Sequence, residues 1–130
     1  MVIDTSIITA ILLNEAEART FEGLISEDPV RLISAATVLE ASMVIESRRG
    51  EAGAKEFDVW LYVTGVKIVP VDTEHAEQAR LAWRRFGKGR HPASLNFGDC
   101  FSYALAKMSR QPLLFKGNDF SKTDIEAVWR

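Results

Sequence analysis

The chain opens on Met1-Val2-Ile3-Asp4-Thr5-Ser6, a strand-forming apolar stretch that runs straight into a carboxylate and two hydroxyls. A strand that enters the interior and ends in an acid sets that acid at the carboxyl end of a sheet, where open α/β folds gather their ligands. Asp4 is therefore the anchor of any site, and the search is for other acids that join it. Glu40, Asp99 and Asp119 are the candidates.

The rest of the chain alternates in the way such a sheet needs. Ile7, Ile8, Ile11 and Leu12 have helical spacing, and a second helical stretch starts near Asn14 and runs through Ala18, Phe21, Leu24 and Ile25 until Asp28-Pro29 stops it. Val30 to Ser34 reads as a strand and Ala35 to Arg49 as a helix closed by Gly50. Glu51 to Thr64 is helical, Val66 to Val71 a strand, and Thr73 to Phe86 a helix ending at Gly87. Lys88 to Asn96 is a loop, Phe97 to Arg110 a helix broken by Pro112, and Leu113 to Lys116 a strand, with a last short strand at Ile125 to Trp129. This order predicts an α/β fold with a parallel sheet of four to five strands and helices on both faces.

With 130 residues the chain is expected to form a single domain over 1–130. A net charge of −2 does not advertise a polyanion partner, so any nucleic-acid contact must come from a local patch. Cys100 is the one cysteine, which excludes an internal disulfide and a structural zinc site, predicts a small buried hydrophobe there, and points to a reducing compartment, the cytoplasm. The start is expected to be mature, without a basic leader, and Ile7 to Leu13 falls far short of the roughly 20 residues of a membrane span.

Each acid has a plain structural reading beside the functional one. Thr37-x-x-Glu40 is a capping box if a helix starts at Thr37; if it starts at Ser34, Glu40 is left facing the sheet and must find a partner. Asp99 stands three residues after Asn96, a possible N-cap, which makes it an ordinary first-turn acid; Ser102, Tyr103 and Ala106 on the same stripe argue for more. Asp119 follows a Gly117-Asn118 turn at the sheet edge, and Asn118 either shapes that turn or accepts from bound water. Ser6 and Ser102 are candidates to hydrogen-bond a metal-bound water, and Thr5 to cap the first helix. Convergence of the four carboxylates would be costly without a cation, and donors that are all oxygen favour Mg²⁺ or Mn²⁺. Such ions support phosphodiester hydrolysis.

Arg84, Arg85, Lys88 and Arg90 lie within Arg84 to His91, just before the Asp99 helix. They suit a phosphate backbone, or merely complement a helix C-terminus. No G-x-S-x-G turn, Ser-His-Asp set or phosphate-binding glycine loop is present. Trp60 and Tyr62 are read as core or subunit-interface residues.

Val2-Ile3-Asp4-Thr5-Ser6, the mid-helix Glu40, Asn96-Phe97-Gly98-Asp99-Cys100-Phe101-Ser102-Tyr103-Ala104 and Leu114-Phe115-Lys116-Gly117-Asn118-Asp119-Phe120 together resemble the PIN-domain family, in particular the VapC toxins of bacterial type II toxin–antitoxin pairs. The resemblance covers essentially the whole chain. It implies a three-layer α/β/α fold, a Mg²⁺- or Mn²⁺-dependent endoribonuclease, a homodimer, and inhibition by a small VapB antitoxin that also binds operator DNA. The family's acids carry over onto Asp4, Glu40, Asp99 and Asp119. Some relatives have a further acid where this chain has Gly117 or Asn118, which leaves a second metal open. A Mg²⁺-binding receiver-like phosphoacceptor and a catalytically silent partner-binding module are the alternatives; the first lacks its expected acidic pair after the first strand.

Overall fold

The computed structural model describes residues 1–129. Its elements follow the predicted alternation: β1 (Val2–Ile3), α1 (Thr5–Leu12), α2 (Ala18–Glu27), β2 (Leu32–Ser34), α3 (Ala35–Thr64), β3 (Lys67–Val69), α4 (Thr73–Phe86), α5 (Phe97–Ser109) and β4 (Leu113–Leu114). A short 3-10 turn over Phe120–Lys122 follows. The strands form one parallel sheet in the order β3-β2-β1-β4, with Val2 opposite both Leu32 and Leu113. Strand order reverses between β1 and β4, so the crevice for a ligand opens at the carboxyl ends of these two strands. Asp4 directly follows β1, and its amide donates to the Leu114 carbonyl at 3.1 Å.

The pleat sorts the core. Val2 and Leu113 face one way, onto a cluster with Phe86, Leu95, Tyr103 and Leu105 from the α4–α5 side. Ile3, Ile33 and Leu114 face the other way, onto Ile7, Ile8, Phe21, Ala41 and Phe57 from α1 to α3. Alternation of side chains along each strand thus produces three layers, α/β/α.

Several local readings change. Asp4, not Thr5, caps α1: it is extended and its carboxylate accepts from the Ser6 amide. Ser34 caps α3, accepting from the Ala36 amide at 3.2 Å, so the Thr37–Glu40 capping box does not form. Gly50 leaves helical backbone (φ 61°, ψ −154°) as expected, so α3 is two helical segments, Ala35 to Arg49 and Glu51 to Thr64, joined at a kink, beside which Arg49 bonds to the Leu12 carbonyl at 3.0 Å and to Glu56 at 2.8 Å. The strand expected at Ile125 to Trp129 reduces to a single bridge, Leu113↔Ala127, so the sheet has four strands. Tyr62 is 88% exposed, while Trp60 packs against the core. Among the described residues no helix is long and apolar enough to cross a membrane.

Candidate active site

Asp4 is 4% exposed and its carboxylate is held on both oxygens. Oδ2 accepts from the Ser6 amide at 3.0 Å and from Ser6 Oγ at 2.7 Å; Oδ1 accepts from Ser102 Oγ at 2.7 Å. An ionised carboxylate has about four acceptor positions, so one remains for a ligand. Ser6 Oγ in turn accepts from the Lys116 amide at 3.0 Å, which ties the end of β1 to the segment after β4. Ser6 and Ser102 therefore spend their protons on Asp4 rather than on a bound water, and Thr37 Oγ1 lies 3.4 Å from Ser102 Oγ behind them.

Glu40 lies in the second turn of α3 and accepts a hydrogen bond from Thr5 Oγ1. Its carboxylate rests against Gly98 in the first turn of α5, where a Cβ would overlap it. Glycine in a first turn lowers helix propensity; here it makes room for an acid from the neighbouring helix. The sequence reading gives Thr5 only a capping role and gives Gly98 no role of its own. The signal for Gly98 was present, as an isolated glycine inside a helical pattern with no turn to explain it.

Asp99 takes the helix-start role that its place after Asn96 predicts, and it also lies among other acids. Asn96 Oδ1 accepts from the Asp99 amide at 2.9 Å and Asp99 Oδ2 accepts from the Asn96 amide at 3.0 Å, a complete capping box. Yet burial pushes its carboxyl up to about 7, against the Asn96 amide bond that lowers it, and the negative charges of Asp4, Asp119 and Glu40 push it further. Four acids thus share one electrostatic neighbourhood. They do not close into a coordination sphere: among the described residues no three His, Cys, Asp or Glu side chains stand close enough to hold one ion. Asp119 is exposed, on the lip beyond Gly117 (φ 106°), and makes no side-chain cap. Asn118 is exposed beside it and takes Ser121 Oγ on its backbone carbonyl at 2.6 Å, the turn role. Burial raises the Cys100 thiol to about 11, which keeps it protonated and out of the chemistry.

The donor set suits a hard divalent cation. It is all oxygen, it is anionic, and none of its four acids takes part in an ion pair among the described residues. Lys116, which follows β4, has its Nζ committed to Glu15 at 3.1 Å and Glu17 at 3.0 Å.

The basic residues Arg84, Arg85, Lys88 and Arg90 are all exposed. Arg85 is 3.6 Å from Asp124 and stacks on Phe86, and Arg90 stacks on Trp83 at 4.1 Å. Arg84 and Lys88 have no ion pair among the described residues. The loop that carries Lys88 and Arg90 is pinned back by the paired amides and carbonyls of Lys88, Leu95 and Phe86. That brings it beside Asn96 and the start of α5.

Residues 1–126 match the PIN domain. The chain is 59% identical over 98% of its length, and 99% of the other chain, to a protein of Mycolicibacterium smegmatis named ribonuclease VapC. Its fold is similar to that of Mycobacterium tuberculosis VapC20, a sarcin-ricin loop cleaving toxin, with a TM-score of 0.81 at 23% identity over 99% of this chain and 98% of that one. A toxin–antitoxin complex from Klebsiella pneumoniae is similar as well, with a TM-score of 0.71 at 19% identity over 95% and 92% of the two chains. A parallel sheet with an acid-lined crevice at its switch point, matched over nearly its whole length, identifies the chain as a member of the PIN-domain family, in its VapC branch.

Proposed function

We propose that this chain is a ribonuclease toxin: a single domain over residues 1–130 that hydrolyses RNA phosphodiester bonds with Mg²⁺ or Mn²⁺ in the cytoplasm. The observation that carries the chemistry is the gathering of Asp4, Glu40 and Asp119 around Asp99, whose carboxyl burial raises to about 7 with the three neighbouring charges adding to the rise. Such a group is tolerable when a cation joins it. Asp4, Asp99 and Asp119 would hold the ion, with Glu40 either joining them or orienting the attacking water. When bound, the ion activates water and offsets the charge that develops on the phosphoryl group.

The chain's own residues prepare for this. Ser6 and Ser102 aim Asp4, and Thr5 keeps Glu40 over Gly98, so two of the acids need no reorganisation. Arg84, Arg85, Lys88 and Arg90 supply cations for the RNA backbone.

Control by a small VapB-type antitoxin, which alone would contact operator DNA, and assembly as a homodimer belong to the same reading. The similarity to a toxin–antitoxin complex supports a protein partner. So does apolar surface on α3 and α5, where Leu39 is 63%, Met43 62% and Phe97 82% exposed.

Cleavage of a structured RNA with and without EDTA, by wild type and by Asp4→Ala, tests the nuclease. Loss of roughly 100-fold or more is expected on removing either the ion or the carboxylate. Equal cleavage in all four cases ends the proposal. A saturable Mn²⁺ site in wild type separates it from a silent module whose acids only cap helices.

A further inference from the structure

Helices α4 and α5 pack with small residues, Ala76 and Ala79, facing the first turns of α5, and leave a cavity of about 580 Å³ between them. Trp83, Phe97 and Phe101 line it, and Arg80, Lys88 and Asn96 are the polar groups at its walls. Phe97 and Phe101 meet edge to face at 5.0 Å, and the Arg90 guanidinium lies over the Trp83 ring at 4.1 Å. The size falls within the roughly 300–1,000 Å³ of ligand pockets. The position is adjacent to the acids, because Asn96 caps Asp99 and Phe97 precedes it by two residues.

A second cavity of the same size lies on the other flank of α5, lined by Leu39, Met43, Val71, Phe97 and Phe101. Its one charged lining residue is Glu40. The Phe97–Phe101 pair separates the two. A phosphate chain is repelled by the Glu40 flank and attracted by the flank that carries Lys88 and Arg90, where Arg80 is paired with Glu77 at 2.7 Å, so charge decides which cavity faces nucleic acid.

We propose that the α4–α5 cavity takes one unstacked base of a single-stranded RNA, stacked among Trp83, Phe97 and Phe101, with its flanking phosphates met by Lys88 and Arg90. This rests on the RNA-substrate reading above and deepens it. An apolar floor accepts the π-face of a base but not a phosphate or ribose, whose hydration it cannot replace. Few polar atoms remain to read base edges, since Asn96 Oδ1 is taken by the Asp99 amide. Preference among bases is therefore modest and follows stacking strength. The cavity fixes where along the strand the acids act rather than choosing a long sequence.

The test is binding, read in EDTA so that no hydrolysis occurs, by fluorescence anisotropy of a short labelled oligoribonucleotide carrying one abasic residue at each position in turn. For wild type, one abasic position should weaken binding about tenfold while the rest have little effect. Ala76 is exposed at the cavity wall, so Ala76→Trp fills the space without touching a charge. It should weaken the intact oligonucleotide about tenfold and erase sensitivity to the abasic position. Phe97→Ala, at an 82% exposed residue, should act in the same direction without a folding penalty. Lys88→Ala should instead lower the slope of log affinity against log salt by about one.

Indifference of wild type to every abasic position overturns the proposal, as does no binding at low salt. So does wild-type affinity in both cavity variants. A changed sedimentation coefficient in Ala76→Trp with unchanged RNA affinity also overturns it, and gives the groove to a second copy of the chain. The two readings fail separately: base-dependent binding without ion-dependent cleavage sinks the nuclease alone.

Discussion

The acid site has an inner wall and an outer lip, and they are built differently. On the wall, Asp4 is buried with three donors on its carboxylate, and Glu40 is held by Thr5 and seated on Gly98. On the lip, Asp119 is exposed on a segment that follows a left-handed glycine, with no side-chain cap. Asp99 stands between them, half committed to its capping box and pushed up to about 7. The contrast separates two costs. Holding a buried carboxylate requires protein hydrogen bonds, because an unpaired buried charge costs several kcal/mol. Holding an exposed one requires nothing until a cation arrives. On the proposed reading the wall is preorganised, and the lip would be ordered by the cation it binds.

The sharpest way to break the comparison is to loosen the wall without removing an acid. Ser102→Ala deletes one donor to Asp4 and leaves every proposed ligand in place. Because partners that orient a ligand are worth about 10–100-fold in metal affinity or activity, RNA cleavage should fall by that amount. Wild-type cleavage in Ser102→Ala would mean that the bond is incidental.

Gly98→Ala comes next. Its methyl group enters the space of the Glu40 carboxylate, and overpacking of this kind costs about 1–3 kcal/mol. Glu40→Ala should relieve most of that cost, so thermal melts of the two single variants and the double variant should be strongly non-additive. Additivity would show that Glu40 moves aside freely and belongs with the lip.

Much of this was legible in advance. Element order follows from hydrophobic period, and Asp4 follows from a strand that ends in an acid. The errors sit where a tertiary partner replaced a local one. Thr5 looked like a cap because it precedes an apolar helical run, yet the backbone places Asp4 at that position and frees the Thr5 hydroxyl for Glu40. Gly98 carried no local reason at all, since the side chain that requires it arrives from a helix 58 positions earlier in sequence. Ile125 to Trp129 has the composition of a strand, but β4 is only Leu113–Leu114, too short a partner for more than a bridge.

Asp99 gives a smaller, signed effect in the metal-free protein. Between its ordinary value of 3.8 and about 7 the folded chain keeps a proton there that the unfolded chain has lost, so stability falls as pH rises through that window and levels off above it. Discounted for the solvent that reaches the site, the drop is on the order of 1–2 kcal/mol. Chemical denaturation in EDTA at the two ends of the window measures it. Asp99→Asn should remove this dependence, and Mn²⁺ should restore stability at the high-pH end in wild type only, because an ion binds the ionised form.

Asp119→Ala has the smallest expected effect on the fold and is the strictest test of the lip. The side chain is exposed, so its loss should change unfolding free energy by no more than about 0.5 kcal/mol. It should also lower the Asp99 carboxyl, since Asp119 is one of the charges that raise it. A structural acid would behave the opposite way, with a stability cost and no effect on its neighbour. NMR titration of the Asp99 carboxyl in EDTA, paired with Mn²⁺ titration of the same variant, reads both quantities. A downward move of Asp99 with weakened Mn²⁺ binding and an unchanged melt fits a lip that waits for a cation. An unmoved Asp99 would place Asp119 outside the site and leave the wall to bind alone.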